Sequence, residues 1–283
     1  MTRFAATSPD MQELVAHIMP QAVDPNAHTA PGFVHTIYTQ TELDAAVEGQ
    51  KDLGELLFTP GTGSELTITH GDKYPRFCGP GTLTAVTGGT LIAYGEITKV
   101  TGGHVTADGH AVITEVTGGE VTADGNVTVA HVAGGVVTAG HDAVIIEVTG
   151  GDVTAEGKVK ITTVTDGVVF ATGEAVITDV AGGNVTVHGK ATATVTAGAV
   201  TALKRATVTV IGSGKVTIIA KDRAHVHIPA GTDAVVHAYD AAQITAESGR
   251  IVMRSAQVNV INNGNATIVD NRNVTDPGSC AIS

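Results

Sequence analysis

Residues 100–115 read VTGGHVTADGHAVITE, and residues 116–131 read VTGGEVTADGNVTVAH. The same frame returns as VAGGVVTAGHDAVIIE from Val132, VTGGDVTAEGKVKITT from Val148, VTDGVVFATGEAVITD from Val164 and VAGGNVTVHGKATAT from Val180. The step is 16 residues each time, and an imperfect earlier copy starts at Val86, a slightly shorter step ahead of Val100. A fixed period of this kind marks a repeat architecture, in which each block buries its apolar face only by stacking on its neighbours.

Each block holds two β-like runs, a short one such as 120–123 and a longer one such as 111–117. Gly-Gly and Asp-Gly pairs separate them and permit the positive φ angles of tight turns. Alternation then assigns faces. Val105, Val121, Val137, Val153, Val169 and Val185 form one inward column, and Ala107, Ala123, Ala139 and Ala155 form a second. Ile113, Val129, Ile145, Ile161 and Ile177 face in, whereas Val112 and its equivalents face out. Strict alternation from Ile113 would turn Val116 outward, yet Val116 is apolar in every copy, so a bulge or corner is expected near Thr114 and Glu115.

Two geometries compete. In a meander the Gly-containing pairs are hairpin turns. In a β-solenoid each block is one coil, and equivalent residues stack about 4.8 Å apart. Recurrence of the same side chain at the same place in every block favours the solenoid. After Ala199 the pattern loosens toward octads, as in VVHAYDAA (235–242) and QITAESGR (243–250). Two octads equal one coil of the repeat, so the tube is expected to continue. Coils over residues 62–270 would number roughly 13 and give a rod of about 60 Å.

Composition agrees with a thin interior. The 283 residues include 35 Gly and no Trp, with 3% aromatic but 42% hydrophobic residues. Seven of the nine aromatics precede residue 95, where the tube must be sealed. There is ample apolar material to bury, which argues against disorder, and no run of about 18 apolar residues that would span a membrane. Residues 1–20 lack a basic start followed by an apolar run, so no secretory signal is expected and synthesis in the cytoplasm is. The Asn-x-Thr triplets at Asn126, Asn184, Asn265 and Asn273 then read as by-products of a Val-Thr-rich repeat. Cys78 and Cys280 are too few for a disulfide framework.

Residues 1–60 differ from the repeat. A short helix is expected over 11–18, with Ser8 or Asp10 as cap. A second is expected in TQTELDAAVEG (39–49), with Thr41 and Asp44 at its start and Leu43, Ala46 and Val47 as its apolar face. An amphipathic helix at this place would cover the open end of the core, where exposed strands otherwise invite aggregation. TELDAAVEG followed by LLFTPGT resembles the start of pectin-lyase-like right-handed β-helices, a likeness confined to this short segment. AVVHAYDAAQITA is similar to octad-repeat proteins of actinobacteria and their phages. These resemblances imply a solenoid and a virion setting, and they carry over no catalytic residue.

Net charge is −12, which opposes nucleic acid as a partner. The charge is uneven: residues 200–254 carry seven basic residues (Lys204, Arg205, Lys215, Lys221, Arg223, Arg250, Arg254) against four acidic ones. This reads as a solvated face or as a contact for an acidic partner, including another copy's acidic half. One turn column runs Asp108, Asp124, Gly140, Glu156, Thr172, His188. Stacking would bring Asp108 and Asp124 to about 5 Å, near the carboxylate separation of retaining glycosidases. An exposed turn offers nothing to desolvate them, so no catalytic residue is assigned. Calcium β-rolls need a GGxGxDxUx unit that VTGGEVTAD does not match. His225 and His227 in HVHIP alternate onto one face and are the sole candidates for metal ligands. Thr106, Thr122, Thr138 and Thr154 stack, but their outward neighbours His104, Glu120, Val136 and Asp152 break any flat threonine array.

The reading is an all-β protein: an N-terminal arm and capping helix over 1–60, a β-solenoid (β-helix) of ~16-residue coils over 61–275, and a tail over 276–283. The function expected is a non-enzymatic structural or interaction rod without cofactor, set in a phage particle as a capsid decoration, minor tail or fibre protein. Its expected partners are particle subunits or further copies in a homo-oligomer, without nucleic acid or membrane insertion. The alternatives are a glycan-binding or glycan-cleaving β-helix acting on cell-surface glycan, and a self-assembling cytoplasmic scaffold.

Overall fold

The computed structural model describes residues 35–49, 57–61, 65–69, 75–77 and 81–272. The helix expected over 11–18, both cysteines and the tail lie outside these residues. The chain winds into a parallel β-solenoid of about 13 turns. Each coil gives one strand to a 15-stranded sheet and one to a 13-stranded sheet, and every neighbouring pair is parallel. Hairpin pairing is absent among the described strands, which decides against the meander.

In the repeat the short strands, such as His104–Ala107 and Glu120–Ala123, build the longer sheet. Val105, Val121, Val137, Val153, Val169 and Val185 stand in strict register, all at 2% exposure or less. The other strand, Val112–Val116 in the first block, buries both Ile113 and Val116, with Thr114 exposed and Glu115 half-exposed between them. Pairing with the next strand skips Thr114 and Ala130. The expected irregularity therefore lies there, turning the strand so that Ile113 and Val116 share the core despite the odd step between them.

Coil length is not constant after Val185, contrary to the octad expectation. The inward column continues through Val200, Ile218, Val236 and Ile251, each paired with the one before it, and ends at Ile268, which pairs with Ile251 but is 42% exposed. The steps to Val200 and Ile251 are shorter than the repeat, and those to Ile218, Val236 and Ile268 are longer. In the first short coil the kink is lost: Thr192–Val195 alternates without interruption, and the register shifts between Ile177 and Val180. The coils through Ile218 and Val236 carry longer strands, Lys215–Ala220 and Asp233–Ala238. After Val185 inward alternation is kept through Gln243–Ala246, because a slip by one position would expose the whole inward set. Ile251 and Val252 are then both buried, and Thr267–Asp270 no longer alternates.

The longer sheet begins ahead of residue 61, with strands His35–Ile37 and Leu57–Pro60. Between them lies helix α1, Gln40–Gly49. Its cap is Thr39, not Thr41. The Glu42 amide donates to Thr39 Oγ1 at 3.2 Å, and the Thr39 amide donates to the Glu42 carboxylate at 3.2 Å. The pair is a capping box, which needs a Glu at the third position after the cap; Thr41 has Asp44 there, one methylene too short for the return bond. Leu43 inserts into the core at 1% exposure and Ala46 packs beside it. The Gln40 side chain accepts from the Thr67 amide at 2.8 Å and donates to the Thr67 carbonyl at 2.9 Å. Thr67–Ile68 is the first strand of the 13-stranded sheet, so this side-chain amide stands in for a missing strand at its edge. Phe58 stacks on Phe77 with ring centroids 5.8 Å apart, and the same inward column continues as Ala93 and Ala107. The aromatic bulk thus fills the first coils.

Candidate functional site

Three surfaces of the coil carry polar side chains in ordered columns: the Gly-Gly corner, the Asp-Gly corner and the outward faces of the sheets. At the Gly-Gly corner the side chains are structural. Thr87, Thr117, Thr149, Thr165 and Thr196 donate through Oγ1 to carbonyls of the preceding coil at 3.2–3.5 Å. The glycine that follows passes so close to that coil that a Cβ on Gly118 would lie 2.5 Å from the Thr101 carbonyl oxygen.

At the Asp-Gly corner, Asp108, Asp124, Gly140, Glu156, Thr172 and His188 form one ladder of backbone hydrogen bonds. Asp108 Oδ1 accepts from the Gly109 amide and Asp124 Oδ1 from the Gly125 amide at 3.0 Å. The two carboxylates therefore sit one coil apart, as their spacing implies, but each holds its own turn. Asp124 also pairs with His141 Nδ1. That bond lowers the Asp124 pKa and raises that of His141, in both cases chiefly through the shared hydrogen bond.

The ladder continues through Leu203, Lys221, Tyr239 and Arg254. Lys204, Asp222 and Asp240 occupy its left-handed position at φ of 63°, 59° and 50°. Asp222 Oδ2 accepts from the Lys204 amide at 3.0 Å, and Asp240 Oδ2 from the Asp222 amide at 3.1 Å. Sequence reasoning missed this carboxylate ladder. Its signal was the Asp recurring after Lys221 and Tyr239 at the place where the repeat has Gly, since Asp tolerates the left-handed region. Beside it Lys190, Lys204, Arg205 and Arg223 line an open groove of about 560 Å³.

His225 and His227 lie outward on the 13-stranded sheet, as alternation requires, in a shallow depression of about 220 Å³ with Thr207, Gln243, Thr245, Asn259 and Ile261. Among the described residues, no carboxylate or further imidazole lines that depression. Among the described residues, no three His, Cys, Asp or Glu side chains converge as a metal-binding group. His237 faces out of the longer sheet; partial burial and the charges of Arg254 and Arg250 push its pKa down. Thr106, Thr122, Thr138 and Thr154 stack in register, followed by Phe170 at 38% exposure.

The class that this geometry defines is a two-sheet parallel β-solenoid with an N-terminal helical cap. Comparisons with protein-family models, curated proteins and solved structures give no match for the chain. Among the described residues, no helix is long and apolar enough to cross a membrane.

Proposed function

We propose that the chain is a non-enzymatic structural and interaction rod, working as a component of a phage or phage-like particle. The observation that carries the first half of this reading is the uninterrupted run of equal coils from Val105 to Val185, with no loop inserted between strands. A glycan-cleaving β-helix needs a groove walled by such insertions and at least two convergent, partly desolvated acids. Here the recurring carboxylates cap turns, and Asp142, Glu156 and Glu174 are exposed. Glycan binding is disfavoured by the same surface, which offers few aromatic platforms. The virion setting rests on the similarity of residues 234–246 to octad-repeat proteins of actinobacteria and their phages.

Mass spectrometry of purified particles from the source organism tests the setting; the chain is expected as a stoichiometric component, and its absence from every particle fraction overturns the virion reading. A polysaccharide-cleavage screen tests the non-enzymatic half; release of reducing ends by the wild-type protein would overturn it.

A further inference from the structure

We infer that two copies of this chain pair antiparallel along the Asp-Gly corner, acidic half against basic half. The ten stacked turns from Asp108 to Arg254 form one continuous edge. In the first five turns the acidic groups are Asp108, Asp124, Asp142, Glu156 and Glu174, and the sole Lys or Arg is Lys158. In the last five the basic groups are Lys190, Lys204, Arg205, Lys221, Arg223 and Arg254, against Asp222 and Asp240. The cations outnumber those two carboxylates and so dominate what the second half presents. The sign changes between Glu174 and Lys190, which pair with each other at 3.1 Å in the middle of the edge.

An edge that reverses sign at its midpoint is complementary to itself under a two-fold axis through that midpoint. Such an isologous contact closes at two copies. Counting turns outward from the axis sets Glu174 against the partner copy's Lys190. It sets Glu156 against Lys204 and Arg205, Asp142 against Lys221 and Arg223, and Asp108 against Arg254. The turn with Asp124 meets the one with Tyr239 and Asp240, the one level without an opposed cation. A parallel pairing would set like charges together at most levels, which costs free energy rather than supplying it. The net charge of −12 also weighs against chance association of two copies, so a dimer would have to come from local complementarity. The inference rests on the reading of the chain as an interaction rod and names its partner; a monomer still found in particles would sink the pairing and leave that reading standing.

The test is sedimentation of the full chain at about 50 mM and about 500 mM salt, where screening separates the two regimes. A dimer at low salt that weakens at least tenfold at high salt is expected. The triple variants Asp142→Lys/Glu156→Lys/Glu174→Lys and Lys204→Glu/Arg205→Glu/Arg223→Glu change only exposed side chains. Each is expected to be monomeric alone, and their equimolar mixture to form a heterodimer. Zero-length amine–carboxylate coupling should join Asp142 to Lys221. Within one chain these lie five coils apart, roughly 24 Å, beyond the reach of the two side chains. A wild-type monomer at every salt concentration, a mixture that stays monomeric, or a dimer without that cross-link would each overturn the pairing. So would a monomer whose basic half binds a polyanion such as heparin.

Discussion

The two glycine corners of each coil look alike in sequence but are held by different physics. At the Gly-Gly corner, the second glycine has positive φ and also lies against the coil below: a Cβ on Gly119 would sit 2.7 Å from the Gly102 carbonyl carbon. At the Asp-Gly corner Gly125 has a similar φ of 79°, yet the nearest atoms to its Cβ would be 3.4 Å away. Backbone contact locks the first corner. At the second, φ is the main limit and only Gly173 would bring a Cβ within 3.0 Å of backbone, so His141, Lys204, Asp222 and Asp240 enter it. The open corner is therefore where charge can vary from coil to coil without disturbing the tube.

The sharpest way to break this contrast is substitution at equivalent glycines. Gly119→Ala combines a left-handed alanine with backbone overlap and should cost about 3 kcal/mol or more, read as a lower denaturation midpoint. Gly125→Ala should cost about 1–2 kcal/mol, the conformational term by itself. Equal losses at the two sites would show that contact does not distinguish the corners. Asp222→Gly removes the acceptor for the Lys204 amide while leaving the left-handed position unstrained. A cost of about 0.5–1.5 kcal/mol is expected, with faster amide exchange at Lys204 and little change at the Gly-Gly corner.

The smallest effect concerns pH. The His141 pKa is raised from 6.5, so its contribution is full below 6.5 and is lost as pH rises through the folded value. The Asp124 pKa is lowered from 3.8, so its contribution is full above 3.8 and is lost as pH falls through the folded value. The pair therefore supports the fold most between those two values. Midpoints measured at mildly acidic and at alkaline pH should differ slightly in the wild-type protein. That difference should shrink in His141→Asn, and an unchanged profile would remove the pair from the account.

Much of the tube was legible in the chain because repetition reports local register. Each inward Val or Ile touches mainly its equivalents one coil above and below, so its recurrence once per block already states its neighbours. The kink at Thr114 and Glu115 was legible for the same reason, from the conflict between Ile113 and Val116. The helix cap was placed too late, at Thr41 in place of Thr39, because Thr39–Glu42 and Thr41–Asp44 look similar until the return bond is drawn. The carboxylate ladder at Asp222 and Asp240 was overlooked although the Asp recurs, since the lengthened coils move it out of the repeat's frame.

Strand type, the inward columns and the narrow Val-Ala-Ile core follow from the residue pattern, because alternation and a fixed period constrain each residue through its nearest coils. What lies along the length of the rod beyond the regular repeat follows from the folded coils alone. Short and long coils had to accumulate in the order they take after Val185 before the cations from Lys204 to Arg254 fell on the same corner as Asp108 to Lys190. Likewise, only folding brought the Gln40 side chain to the Thr67 backbone, far along the chain. Local patterning carries no information about such separations, which are set by the winding of every coil between them.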